Sequence, residues 1–198
     1  LGSGVQFDVD ADGVLETTGW VGPDDGLLAM DLDGSGQIED MSEVFSEVFN
    51  GGNYTDSLAA LATLDTNSDQ VISAEDDQFD EILVWQDGDS DGVSADAELA
   101  TLTDHGISAI DLDATASDET VSGNTIDAVG TVEFDDATTG TFAEVTFVLD
   151  GAPTTFTLGG IISSGNEAVV EATEPEFFVV EPASDTPNED SVDVAIAE

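Results

Sequence analysis

The stretch "DGDSDGVSADAE", residues 87–98, carries five acidic residues among its twelve, in a chain that has 46 Asp and Glu and no Lys or Arg. Acids at every second position of a tight turn aim their oxygens at one centre, an arrangement suited to a hard divalent cation. Asp87, Asp89 and Asp91 take positions 1, 3 and 5 of such a loop. Gly92 supplies the sharp turn at 6, the Val93 carbonyl serves at 7, and Glu98 closes at 12 as the two-oxygen ligand. A merely solvated acidic turn would explain the charges but not the glycine and the glutamate at their fixed offsets.

Working outward, three weaker copies precede this loop. In "DTNSDQVISAED" (65–76), Asp65, Asn67 and Asp69 hold positions 1, 3 and 5, the Val71 carbonyl falls at 7, Ile72 is the apolar eighth residue and Asp76 closes. Gln70 stands where the turn glycine belongs, which predicts a strained backbone and weaker binding. In "DLDGSGQIEDMSE" (31–43), Asp31, Asp33 and Ser35 lead to Gly36, the Gln37 carbonyl and Glu39, and Glu43 is the distal acid, one residue late. In "DVDADGVLE" (8–16), Asp8, Asp10, Asp12, Gly13 and the Val14 carbonyl begin correctly, but position 12 falls on Gly19. That loop needs Glu16, or a more distant acid such as Asp24 or Asp25, to close it.

Between the loops the apolar spacing predicts short helices: from Asp40 through Met41, Val44, Phe45, Val48 and Phe49 to the stop at 50–52, over 56–64, after a Ser73/Asp76 capping pair, and from Ser94 to a left-handed Gly106. Apolar eighth positions such as Ile38 and Ile72 are expected to bridge neighbouring loops as a short antiparallel pair. Past residue 106 the period becomes two. The segments 107–113, 130–136, 141–150 and 154–160 read as strands, with a hairpin turn at 138–140. The expected fold class is therefore α+β, with EF-hand-like calcium loops and short helices followed by an antiparallel β-sheet region. The expected domains are a calcium-binding region over 1–113, a β-sheet region over 114–162 packed on it, and an acidic tail over 163–198. In that tail Phe177, Phe178, Val179 and Val180 are expected to pair with a sheet edge of this chain or of a neighbour.

Composition bounds the partners. A formal charge of -46 strains a folded state through self-repulsion, and no basic side chain exists to relieve it, although 40% apolar residues suffice for a core. Nucleic acid and anionic membranes are excluded as direct electrostatic partners. The absence of Cys removes disulfides and thiolate sites. No apolar run is long enough to span a bilayer. A start at Leu1 rather than Met leads us to expect a processed or partial product whose targeting signal lies elsewhere.

The succession "TGWVGPDDGLL" (18–28) and "VWQDGDSDGVS" (84–94), set among these loops, resembles the calcium-dependent self-processing module of iron-regulated RTX proteins and related calcium-binding regions of large secreted bacterial proteins. The resemblance runs from about residue 4 to about 150. It implies type I secretion, folding outside the cell where calcium is plentiful, and cleavage at an Asp-Pro bond, with the freed Asp able to be joined to a Lys. This chain departs from that pattern. Its prolines, at 23, 153, 175, 182 and 187, follow Gly, Ala, Glu, Glu and Thr, so it holds no Asp-Pro bond, and it has no Lys.

The remaining candidates are bland. "GGNYTDSLA" (51–59) reads as a loop and helix cap rather than one repeat of a β-roll. His105 suits a dipole contact at a helix end, and Trp20 and Trp85 suit core packing. Two Met are too few for the groove of a calcium sensor. The sequence thus points to an extracellular calcium-binding structural module of an adhesin, matrix or filament, possible homo-oligomer formation included. The alternative is the product or remnant of an Asp-Pro autoproteolytic module. Catalysis is not expected of the chain itself.

Overall fold

The computed structural model describes residues 4–121, 124–148 and 155–163, and the expected pairing of Phe177 to Val180 lies outside them. Strands dominate: β1 (Val5–Phe7), β2 (Glu16–Thr18), β3 (Leu27–Ala29), β4 (Val71–Ser73), β5 (Leu83–Trp85), β6 (Leu99–Thr101), β7 (Ile107–Asp111), β8 (Thr115–Val121), β9 (Asn124–Phe134), β10 (Thr139–Val148) and β11 (Thr155–Ser163). Among the described residues the only α-helix is α1 (Ser57–Leu61), capped by Asp56, whose carboxylate accepts from the Ala59 amide at 2.7 Å.

This overturns the α+β expectation of EF-hand-like helix pairs: the protein is built mostly of antiparallel β-sheet. The reasons are local. Over 40–49 the helical spacing is real, and Met41, Val44, Phe45 and Phe49 are buried. The backbone, however, pairs with β3: the Met30 amide donates to the Glu43 carbonyl at 2.8 Å, and the Phe45 amide donates to the Leu28 carbonyl at 3.1 Å. Asp40 and Ser46 side chains capture the Ser42 and Val48 amides, competing with helical bonds. The segment after Ser94 likewise becomes β6 and a turn rather than a helix. Gly106 is left-handed as expected, at φ +69°, but it ends a turn. After Asp76 only a single 3-10 turn forms, at Phe79–Glu81.

Among the described residues three sheets result. β1 pairs with β2. β3, β5 and β6 form a second sheet in that order with β5 central. The largest runs β11-β10-β9-β7-β4, with β8 also on β9. The strands expected over 107–113, 130–136, 141–150 and 154–160 overlap β7, β9, β10 and β11, with residues 149, 150 and 154 outside the described residues. Ile72 does not bridge to Ile38; it pairs with Ile110 of β7.

The β3 and β5 sequences, "LLA" and "LVW", are apolar without alternation, as befits strands covered on both faces. Leu27, Ala29 and Trp85 enter one apolar cluster with Phe7, Met41, Val145 and Phe147, while Leu28 and Val84 enter another with Phe45, Leu61, Ile110 and Phe142. Both clusters draw residues from either side of residue 113. Gly130 permits the second cluster, because a Cβ there would lie 2.1 Å from the Phe142 ring.

Candidate metal centre

All four loops adopt one backbone frame. Positions 4 and 6 are left-handed in each: Ala11 and Gly13, Gly34 and Gly36, Ser68 and Gln70, Ser90 and Gly92. This curl turns the amides of positions 5 and 6 onto the carboxylate of position 1. Asp12 and Gly13 donate to Asp8 at 3.0 and 2.7 Å. Ser35 and Gly36 donate to Asp31 at 3.1 and 2.9 Å. Asp69 and Gln70 donate to Asp65 at 3.2 and 2.9 Å. Asp91 and Gly92 donate to Asp87 at 3.1 and 2.9 Å.

The closing acid is held in the same repeated way, by amides from positions 2 and 9. Leu32 and Glu39 donate to the two oxygens of Glu43. Thr66 and Ser73 do so for Asp76, and Gly88 and Ala95 for Glu98. The single late residue before Glu43 is absorbed without loss of either bond.

The first loop differs because a hairpin closes it. β1 pairs with β2 so that Phe7 faces Glu16, which brings Glu16 beside Asp8, and Glu16 accepts from the Val9 amide at 3.2 Å. Asp24 and Asp25 take no part in this group: Asp25 accepts from the Gly22 amide within its own turn. The fourth loop is also a hairpin connection, from β5 to β6, with the Gln86 amide donating to the Glu98 carbonyl at 2.9 Å.

Among the described residues three acidic groups follow, each bringing one oxygen from every member within 4.8 Å of the others: Asp8, Asp10 and Glu16; Asp31, Asp33 and Glu43; Asp87, Asp89 and Glu98. The third loop forms no such trio of acids among the described residues, since its position 3 is Asn67, whose amide donates to Asp69 at 3.0 Å. Asp12, Asp69, Asp91 and Ser35, all at position 5, accept from the amides of Val14, Val71, Val93 and Gln37, which shapes the turn that presents the position 7 carbonyls. Val14 and Val93 are exposed, so their side chains lie clear of the core.

The crowding of these carboxylates shows in their electrostatics. Burial pushes the Glu43 carboxyl up to about 7, with the neighbouring Glu39 side chain adding to the rise and the amides of Glu39 and Leu32 opposing it. Asp91 raises the Asp89 carboxyl above its ordinary range, and burial, Glu98 and Asp87 add to it. Burial raises Asp76 too, but hydrogen bonds from Ser73, Thr66 and Asn67 outweigh it, so that this acid lies below the usual range. Crowded carboxylates with no basic partner are a donor set that a hard cation satisfies.

Three of the loops are joined. The Met41 amide, just past the second loop's Glu39, donates to the Asp8 carbonyl at 2.9 Å. The Ile38 amide donates to the Ser94 hydroxyl at 2.6 Å, linking the second and fourth loops at their eighth positions through a side chain rather than a backbone pair. Gly92 lies against the first strand, where a Cβ would meet Val5 at 2.4 Å and the Gln6 carbonyl at 2.8 Å. What the sequence reading missed is Trp20, whose indole N–H donates to Asp87 at 2.7 Å across 67 residues. Nothing in the local pattern signals a contact so remote in sequence.

The family described as the SPM domain matches residues 1–148. Iron-regulated protein FrpA of Neisseria meningitidis serogroup C is 36% identical over 158 residues, covering 78% of this chain and 14% of its own length. The chain therefore spans only a small part of that relative.

Proposed function

This chain belongs to the SPM domain family, and from that premise we propose that it is a secreted, extracellular calcium-binding structural module, in which bound ions replace the basic side chains it lacks. The observation that carries the reading is the trio of acidic groups set in one repeated frame. Carboxylates combined with backbone carbonyls suit calcium, which accepts six to eight oxygens in flexible geometry, better than magnesium, which demands a near-ideal octahedron. Asp8, Asp10, Asp12, Glu16 and the Val14 carbonyl would hold one ion. Asp31, Asp33, Ser35, Glu43 and the Gln37 carbonyl would hold a second, with Glu39 beside them. Asp87, Asp89, Asp91, Glu98 and the Val93 carbonyl would hold a third. Asp65, Asn67, Asp69, Asp76 and the Val71 carbonyl form a weaker fourth site. When bound, the ion supplies positive charge; the chain orients the oxygens through the amide bonds described above.

In this reading residues 1–113 carry the ions, 114–162 supply most strands of the large sheet that backs them, and 163–198 pair with another copy in an oligomer or filament. Isothermal titration calorimetry of the full chain tests it. We expect uptake of at least three calcium ions, abolished by chelator, and an absence of stoichiometric uptake overturns the proposal.

A second reading, a calcium-dependent Asp-Pro self-processing module, is favoured by the family match. Since the chain holds no Asp-Pro bond, the test is to append an Asp-Pro segment at its amino end and add calcium. Two fragments by mass spectrometry support this reading, and an intact product excludes it.

A further inference from the structure

We propose that Trp20, which lies outside every ion loop, is the positioning residue of the fourth loop, holding Asp87 for its ion. The proposal rests on the calcium reading above and deepens it.

Asp87 is fully buried, an unusual place for an acid in a chain with no basic partner to offer. One of its oxygens accepts from the Asp91 amide; the other accepts from both the Gly92 amide and the Trp20 indole. The two amides belong to the loop and would bend with it. The indole does not, because it is anchored in an aromatic group of its own: Trp20 lies 5.4 Å from Phe7 and 5.4 Å from Trp85, and Phe7 lies 5.5 Å from Trp85, each measured between ring centroids. Trp85 ends β5 two residues before Asp87, and Phe7 ends β1 one residue before Asp8. The indole thus fixes the rotamer of a carboxylate from a rigid platform that also abuts the first loop. Partners that orient a ligand in this way are commonly worth about 10- to 100-fold in metal affinity.

The test uses the full chain and calcium itself. Calorimetry is run on the parent, on Trp20→Phe, and on a variant whose residue 20 is an isosteric benzothiophene lacking the N–H, which preserves packing. We expect one binding step to weaken by about 10-fold in both Trp20 variants while the other steps hold. In the parent, the Trp20 indole N–H resonance is expected to shift during that same step, and Glu98→Gln is expected to abolish the shift while Glu16→Gln leaves it, a pattern that a purely structural role would not produce. If the parent binds calcium and the benzothiophene variant binds it equally well, the positioning role is overturned and the calcium reading stands. If the parent takes up no calcium, both fall together.

Discussion

Gln70 and Gly92 occupy the same sixth position of their loops, at φ +69° and +73°, and only one of them is glycine. A side chain in left-handed backbone costs about 1 kcal/mol or more. Gln70→Gly is therefore expected to raise stability by about 1 kcal/mol and to tighten the third loop's calcium step, read by thermal melts and calorimetry. Gly92→Ala is expected to do the reverse and more, because its Cβ would also collide with Val5 and the Gln6 carbonyl. Glu144 makes a separate prediction. It is buried in β10, accepts from the Ser57 hydroxyl and amide at 2.7 and 3.0 Å, and burial raises its carboxyl above the ordinary value despite those bonds. The folded state thus keeps this proton to higher pH than the unfolded chain does. Its contribution is most favourable at acid pH and is lost as pH rises from the ordinary carboxylate range through the raised value. Glu144→Gln, which retains an acceptor for Ser57, is expected to flatten that decline and to be more stable than the parent at neutral pH. Melts between about pH 4 and pH 8 check it.

The elements were legible where the period of the pattern and the burial agree. β7, β9, β10 and β11 alternate or carry turn signals, and the acid ladder names its own loops by offset alone. The short strands were not legible, because β1, β2, β5 and β6 are three residues each, too few for any period to declare itself. The Asp40 segment was misread since apolar spacing records which side chains are buried, not where the amides go, and here they go to β3. Glu16 was one of several options for the first loop until the hairpin register selected it. Sequence offers still less on how loops join. The Ser94 hydroxyl accepts from the Ile38 amide and lies within 3.3 Å of the Ile38 carbonyl, to which it donates. Ser94→Ala is expected to uncouple the second and fourth loops: losing about 1 kcal/mol of coupling corresponds to roughly fivefold in affinity. Calorimetry should show two calcium steps that overlap in the parent drawing apart.

For the molecule as a whole the charge of -46 was readable at once, and its distribution was not. Four divalent ions would leave about -38, so repulsion persists even in a fully loaded protein. The radius of gyration from small-angle scattering is therefore expected to grow on adding chelator at low salt, and to recover partly when monovalent salt is raised. A chain of unchanged size under chelation would contradict this. One further consequence lies in the middle sheet. β3 and β5 present Leu27 and Trp85 to one cluster and Leu28 and Val84 to the other, so the two cores have a common wall. We expect neither half to melt while its companion survives, and a shortened version retaining only one of them to lose solubility. Heating ought to produce a single calorimetric peak, and truncations that remove either cluster ought to yield no folded product.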